Sequence, residues 1–158
     1  MSSLKKVTQK GFTIVELLIV IVVIGILAAL VITTYNGIQQ KGRNTERQTD
    51  LKAIQGQLEA YYAQNGRYPT LANLNDNPDE ETGFIKQQMK GLDAEALRDP
   101  KAAAATFVLA GTATTSQYAY APAGDTTACD NSATDCTKYT LTAKQEGGGT
   151  DIVLKSLN

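Results

Sequence analysis

Residues Phe12 to Ile32 read FTIVELLIVIVVIGILAALVI, and 18 of these 21 residues are apolar. As a helix the run spans about 31 Å at about 1.5 Å per residue, close to the thickness of a bilayer core. The rest of the chain is polar by contrast, about 35% hydrophobic, below the usual share for a globular domain. The chain reads as an apolar rod joined to a polar head. The one charge inside the run is Glu16. A carboxylate at a bilayer centre costs on the order of 2.5–3.5 kcal/mol, less near the interface. Either Glu16 sits near the membrane surface and snorkels or protonates, or it meets a positive charge when chains associate. Ahead of the run lies MSSLKKVTQKG, with Lys5, Lys6 and Lys10. A secretory signal would show a shorter apolar core followed by a small-residue cleavage site. Here the small residue, Gly11, comes before the run. Lys41, Arg43 and Arg47 follow it, so the count of flanking basic residues does not settle orientation.

The 158 residues contain no histidine. That removes Ser-His-Asp triads, HExxH zinc sites and histidine relays. No nucleophile has an evident base partner, no Gly-rich phosphate loop follows a strand, and there is no internal repeat. The residues thus predict neither an enzyme nor a cofactor. The formal net charge of -1 argues against bulk electrostatic binding of nucleic acid.

From Tyr35 to Asn65 there is no proline, and Leu51, Ile54, Leu58 and Tyr61 recur at helical spacing. A helix running from Phe12 to Gln64 would be roughly 80 Å long. Asn65-Gly66 followed by Pro69 is a stop signal, with Gly66 as a left-handed cap. Lys41, Arg43, Arg47 and Lys52 are interleaved with Glu46 and Asp50, which predicts a solvated face with i,i+4 pairs. Residues 67–105 read as loops, with two short helices near 80–90 and 93–98, the second ended by Asp99-Pro100. Period-2 runs predict strands at Thr106–Ala110, Gln117–Ala121, Tyr139–Lys144 and Asp151–Lys155. Gly147-Gly148-Gly149 predicts a turn before the last strand. A three- or four-stranded antiparallel sheet on the second half of the helix would bury the 51–61 stripe. The fold class is therefore α+β, and Tyr61, Tyr62 and Tyr68 read as packing residues.

Lys10-Gly11-Phe12-Thr13-Ile14-Val15-Glu16 before an unbroken apolar helix resembles the processing site of type IV pilins and pseudopilins. The stretch from Ala60 to Pro69, AYYAQNGRYP, is similar to the helix end of the same proteins. The resemblance implies a leader of residues 1–11, a transmembrane and filament-core helix over 12–34, its amphipathic continuation over 35–66, and a head over 67–158 with its sheet in 106–158. It implies cleavage between Gly11 and Phe12 by a prepilin peptidase, and N-methylation of Phe12. The leader stays cytoplasmic, which resolves the orientation. Glu16 then neutralises the Phe12 amine of a neighbouring subunit, and a short ion pair in an apolar core far outweighs one in water. Pilins often carry proline near the end of the apolar run, whereas Thr33-Thr34 stand here, so no proline drives a kink. Removing the leader leaves 12 basic against 16 acidic side chains.

With the head outside the cytoplasm, Cys129 and Cys136 are expected to form a disulfide. Their spacing matches no redox pair, and two cysteines without histidine make a poor zinc site. Asp125, Asp130 and Asp135 surround them as weak calcium candidates, since some major pseudopilins bind calcium near the C-terminus. Their spacing is not that of an EF-hand. The first expectation is a type IV pilin: a single-pass, N-in membrane precursor that polymerises into an extracellular filament for adhesion, motility or DNA uptake. Its implied partners are further copies of itself, the prepilin peptidase, an inner-membrane platform protein and an assembly ATPase. The alternatives are a major pseudopilin of a type II secretion or competence system, and a signal-anchored surface protein that never polymerises.

Overall fold

The computed structural model describes residues 11–103, 107–125 and 129–158. The leader before Gly11, and Thr106 at the start of the first expected strand, lie outside the described residues. Helix α1 (Ile14–Asn65) runs for 52 residues. Its first half is aliphatic, and no proline interrupts the segment. Thr34, in the place where pilins often carry proline, donates its hydroxyl to the Leu30 carbonyl at 3.0 Å and the helix continues. The stop comes where the sequence predicts it. Gly66 has φ +70 and its N–H reaches the Tyr62 carbonyl at 2.7 Å.

The chain divides into two compact units, the first ending at Gln39 and the second running Gln40–Asn158. The boundary falls inside α1, so the second unit includes the rest of that helix. In this unit α1 is followed by α2 (Leu71–Leu74), α3 (Phe84–Gln88), a 3-10 turn (Ala94–Leu97), and strands β1 (Ala119–Ala123), β2 (Lys138–Ala143) and β3 (Ile152–Lys155). The strands form one antiparallel sheet in the order β1-β2-β3. This is an α+β fold. The register places Tyr120, Leu141 and Leu154 in one row across the sheet. Leu51, Ile54 and Leu58 of α1 are fully buried, in one cluster with Tyr68, Tyr120, Tyr139 and Leu141, and Tyr61 and Tyr62 pack at its margin. Truncating one such leucine to alanine costs about 2–5 kcal/mol.

Two expectations need correction. Residues 107–110, the described part of the first expected strand, do not form one: only Ala110 makes an isolated bridge, to Ala119. The Asn75 side chain donates to the Leu109 carbonyl and accepts from the Leu109 N–H, both at 2.9 Å. Leu109 therefore has no backbone group left for a ladder. The short helix α2 was not anticipated. Thr70 and Asn73 cap its start reciprocally, with asparagine in the place where the familiar pattern has Glu or Gln. The glycine turn holds, with Gly147 and Gly148 at φ +78 and +79, where a side chain would be strained.

Candidate functional site: the capped N-terminal segment and the ion cluster of the head

Gly11, Phe12 and Thr13 precede the helix. The Thr13 N–H and hydroxyl both donate to Glu16 Oε2, at 2.8 and 2.7 Å, and the Glu16 N–H reaches the Thr13 hydroxyl at 3.2 Å. This is a reciprocal capping box, which satisfies otherwise orphaned N–H groups at the helix start. Threonine followed three residues later by glutamate, before an apolar run, is its sequence signature. The reading of the sequence placed Glu16 but missed Thr13, because the cleavage motif absorbed both. Phe12 is 90% exposed, and every large apolar side chain from Ile14 to Ile38 is exposed in the single chain. The helix is long and apolar enough to cross a membrane. The single chain gives Glu16 Thr13 as its hydrogen-bond partner, not Phe12.

Lys41 and Lys52 are exposed as the solvated-face reading expects, but Arg43 and Arg47 depart from it. Arg47 is 0% exposed. Its Nε and Nη2 meet Asp99 at 2.7 and 2.9 Å. Its Nη1 reaches Glu146 and Asn44, both at 2.9 Å, and Nη2 also reaches the Thr115 carbonyl at 3.4 Å. All five guanidinium N–H groups are thereby used, which is what keeps the buried charge tolerable. Arg43 pairs with both oxygens of Glu146, at 2.7 and 2.6 Å. Asn44 clamps the Glu146 backbone from both sides. The carboxylates come from the Asp99-Pro100 corner and from the residue before the glycine turn, too far along the chain for helix spacing to show. The hydrogen bonds to Asp99 raise the Arg47 guanidinium further above its ordinary value. The hydrogen bonds from Arg43 hold the Glu146 carboxyl down at about 2, against the opposing effect of burial.

Two further carboxylates on α1 are met by tyrosines. Tyr118 donates to Asp50 at 2.7 Å. Burial pushes Asp50 up to about 6, with Glu46 and Asp99 adding to the rise and the Tyr118 bond opposing it. Glu59 accepts from the hydroxyls of Tyr68 and Tyr139, both at 2.8 Å, and from the Leu157 N–H at 3.2 Å.

Cys129 and Cys136 are joined in a disulfide. The bridged loop is fastened to the chain just past α1. Asn131 donates to the Tyr68 carbonyl at 2.8 Å and Tyr68 N–H donates to the Cys136 carbonyl at 2.7 Å. The three aspartates are not brought together. Asp130 accepts from Ser132 and Ala133 within its own turn, bonds that hold its carboxyl well below the usual range. Asp135 faces Arg67, and Asp125 faces Thr137 and Lys138. Among the described residues no cluster of three metal-ligating side chains forms.

An apolar helix opening on a Gly-Phe-Thr-x-x-Glu segment, continued into a helix that carries a small antiparallel sheet, defines the prepilin-type class of membrane-anchored proteins. The profile of the prokaryotic N-terminal methylation motif matches residues 6–32. The profile of type II secretion system (T2SS) protein G matches residues 34–135, and the chain belongs to that family. Type II secretion system core protein G of Klebsiella pneumoniae is 42% identical over 62 residues, covering 39% of this chain and 44% of the relative. The Vibrio cholerae protein of the same name is 33% identical over 93 residues, covering 52% of this chain and 64% of the relative. The type IV major pilin protein PilA of Myxococcus xanthus is 38% identical over 80 residues, 51% of this chain and 33% of the relative. The matched part thus spans from a third to two thirds of each relative's length. No solved structure matches the chain. The similarities favour the secretion-system alternative over the type IV pilus expected first.

Proposed function

We propose that this chain is the major pseudopilin of a type II secretion system, a structural subunit rather than a catalyst. The observation that carries this reading is the protein G match over residues 34–135, on a chain whose apolar helix is wholly exposed when alone. In this account a prepilin peptidase cuts between Gly11 and Phe12 and the new N-terminus is methylated. The chain waits in the inner membrane with its head outside the cytoplasm. A platform protein and an ATPase then drive polymerisation.

The chemistry of assembly follows from the capping box. Both Thr13 donors fall on Glu16 Oε2, which leaves Oε1 for the Phe12 ammonium of a neighbouring copy. Each charge is costly alone in hydrocarbon, and the pair sets axial register much as a single buried polar group does in a coiled coil. Exposed leucine, isoleucine and valine surfaces supply the packing. A type IV pilus remains the second reading, supported by the resemblance to the Myxococcus pilin.

Deletion of the gene tests the choice. The secretion reading expects proteins normally exported to the medium to be retained in the cell, with surface pili and motility unaffected. Loss of pili with intact export would favour the second reading. Glu16→Ala is expected to abolish assembly while membrane insertion persists, and normal polymerisation of that variant would sink the register role of Glu16.

A further inference from the structure

We infer that the cleft between the last turns of α1 and residues 87–91 binds a short neutral saccharide carrying acetamido groups. The cleft has a volume of about 420 Å³, within the range of small-ligand pockets. Gln57, Tyr61 and Gln64 line it from α1, and Gln87, Gln88 and Lys90 line it from the opposite side. The concentration of amides is the observation. Gln87 spends its amide N–H on the Thr82 carbonyl at 3.0 Å. The side-chain amides of Gln57, Gln64 and Gln88 make no hydrogen bond among the described residues. Gly91 keeps room for one of them: a Cβ there would stand 2.6 Å from Gln57 Nε2.

The lining selects the ligand class by its chemistry. A glutamine amide presents a donor and an acceptor in one plane, which matches the N–H and C=O of an acetamido group in a two-point contact. The same amides serve vicinal hydroxyls. The Tyr61 ring, tilted against Phe84 at 5.5 Å between centroids, offers an apolar surface for a sugar's C–H face. An anion would find Lys90 as its only cation in the lining, and a metal ion would find no carboxylate. A peptide anchor needs an apolar pocket, and Ala60 is the only aliphatic side chain lining the cleft. This assignment does not depend on the filament reading, because every lining residue belongs to the second unit.

The test uses the full chain in detergent micelles, isotope-labelled and titrated with N,N′-diacetylchitobiose, with cellobiose as the matched sugar lacking acetamido groups. Saturable shifts of the side-chain amide signals of Gln57, Gln64 and Gln88 are expected, with cellobiose weaker by about tenfold. Gln88→Ala, an exposed position, and Gly91→Ala, which displaces only the flexible end of Gln57, should each weaken the response severalfold while the remaining spectrum stays native. Absence of saturable shifts at high sugar concentration would overturn the proposal. So would an undiminished response in both variants. An equal response to cellobiose would overturn the acetamido assignment.

Discussion

The two halves of α1 obey opposite rules. From Ile14 to Ile38 the helix holds its aliphatic side chains in the open. From Arg47 to Leu58 it buries not only Leu51, Ile54 and Leu58 but also a whole arginine. Hydrophobicity alone does not decide which residues are inside; the available partners do. The first half leaves its large apolar side chains uncovered among the described residues, an area open to lipid or to another copy. The second half meets a head whose Asp99, Glu146 and Thr115 supply an acceptor for every Arg47 donor that Asn44 leaves unfilled. A greasy surface without a partner signals assembly. A charged group with a complete set of partners signals a fixed fold.

Breaking the buried cluster should have the largest effect on the head. Arg47→Ala leaves Asp99 buried and unpaired, and a loss of about 3–5 kcal/mol is expected in urea unfolding. The double replacement Arg47→Leu with Asp99→Leu should recover much of it, since an apolar pair carries no desolvation cost. A loss under about 1 kcal/mol in the single variant would show that water reaches Asp99 once the guanidinium is gone. Next in size is the disulfide. Replacing Cys129 and Cys136 with serine frees a small loop, for which chain entropy gives about 2.5 kcal/mol. The first disorder should appear around Arg67 and Tyr68, read by amide exchange, because the loop is tied there.

Acid and alkali should act on different groups. Glu146 has its folded pKa depressed to about 2. Its contribution is therefore complete above its ordinary value and lost as pH falls toward 2, on the order of 2 kcal/mol. Asp50 has its folded pKa raised to about 6. Its folded form keeps a proton that the unfolded form has given up, so stability falls as pH rises through 6. Asp50→Asn should therefore gain stability above that pH, by about 1 kcal/mol after allowance for its partial exposure. Unfolding curves at pH 3, 5 and 8 for the parent, Glu146→Gln and Asp50→Asn separate the two slopes, and parallel curves would refute both. The smallest effect sharpens the comparison. Glu16→Ala should leave the unfolding curve of the head unchanged, because the hydrogen bonds of Glu16 among the described residues go to Thr13 and not to the head.

Much of this was legible in the sequence, and for identifiable reasons. The apolar run, the 51–58 stripe, the Gly66 stop, the glycine turn and strands β1 to β3 are local patterns, and each lies within a few residues of its expected place. Most of the failures are long-range. Arg47 looks like any surface arginine until Asp99 and Glu146 arrive from distant loops. Residues 106–110 alternate like a strand until the Asn75 side chain takes both backbone groups of Leu109. The aspartates near the disulfide look like a ligand set until each is seen to be committed elsewhere. Thr13 at the start of α1, and Thr70 with Asn73 at the start of α2, are the exceptions, local signals three residues apart.

The central claim is that the exposed half of α1 is a processed segment awaiting partners. Mass spectrometry of the N-terminal peptide tests it most directly, on protein from membranes and from material sheared off cells that overproduce the chain. The account predicts a peptide starting at Phe12 and carrying one added methyl group, and its loss in Gly11→Val. A peptide that still begins in the leader, in both fractions, would contradict it.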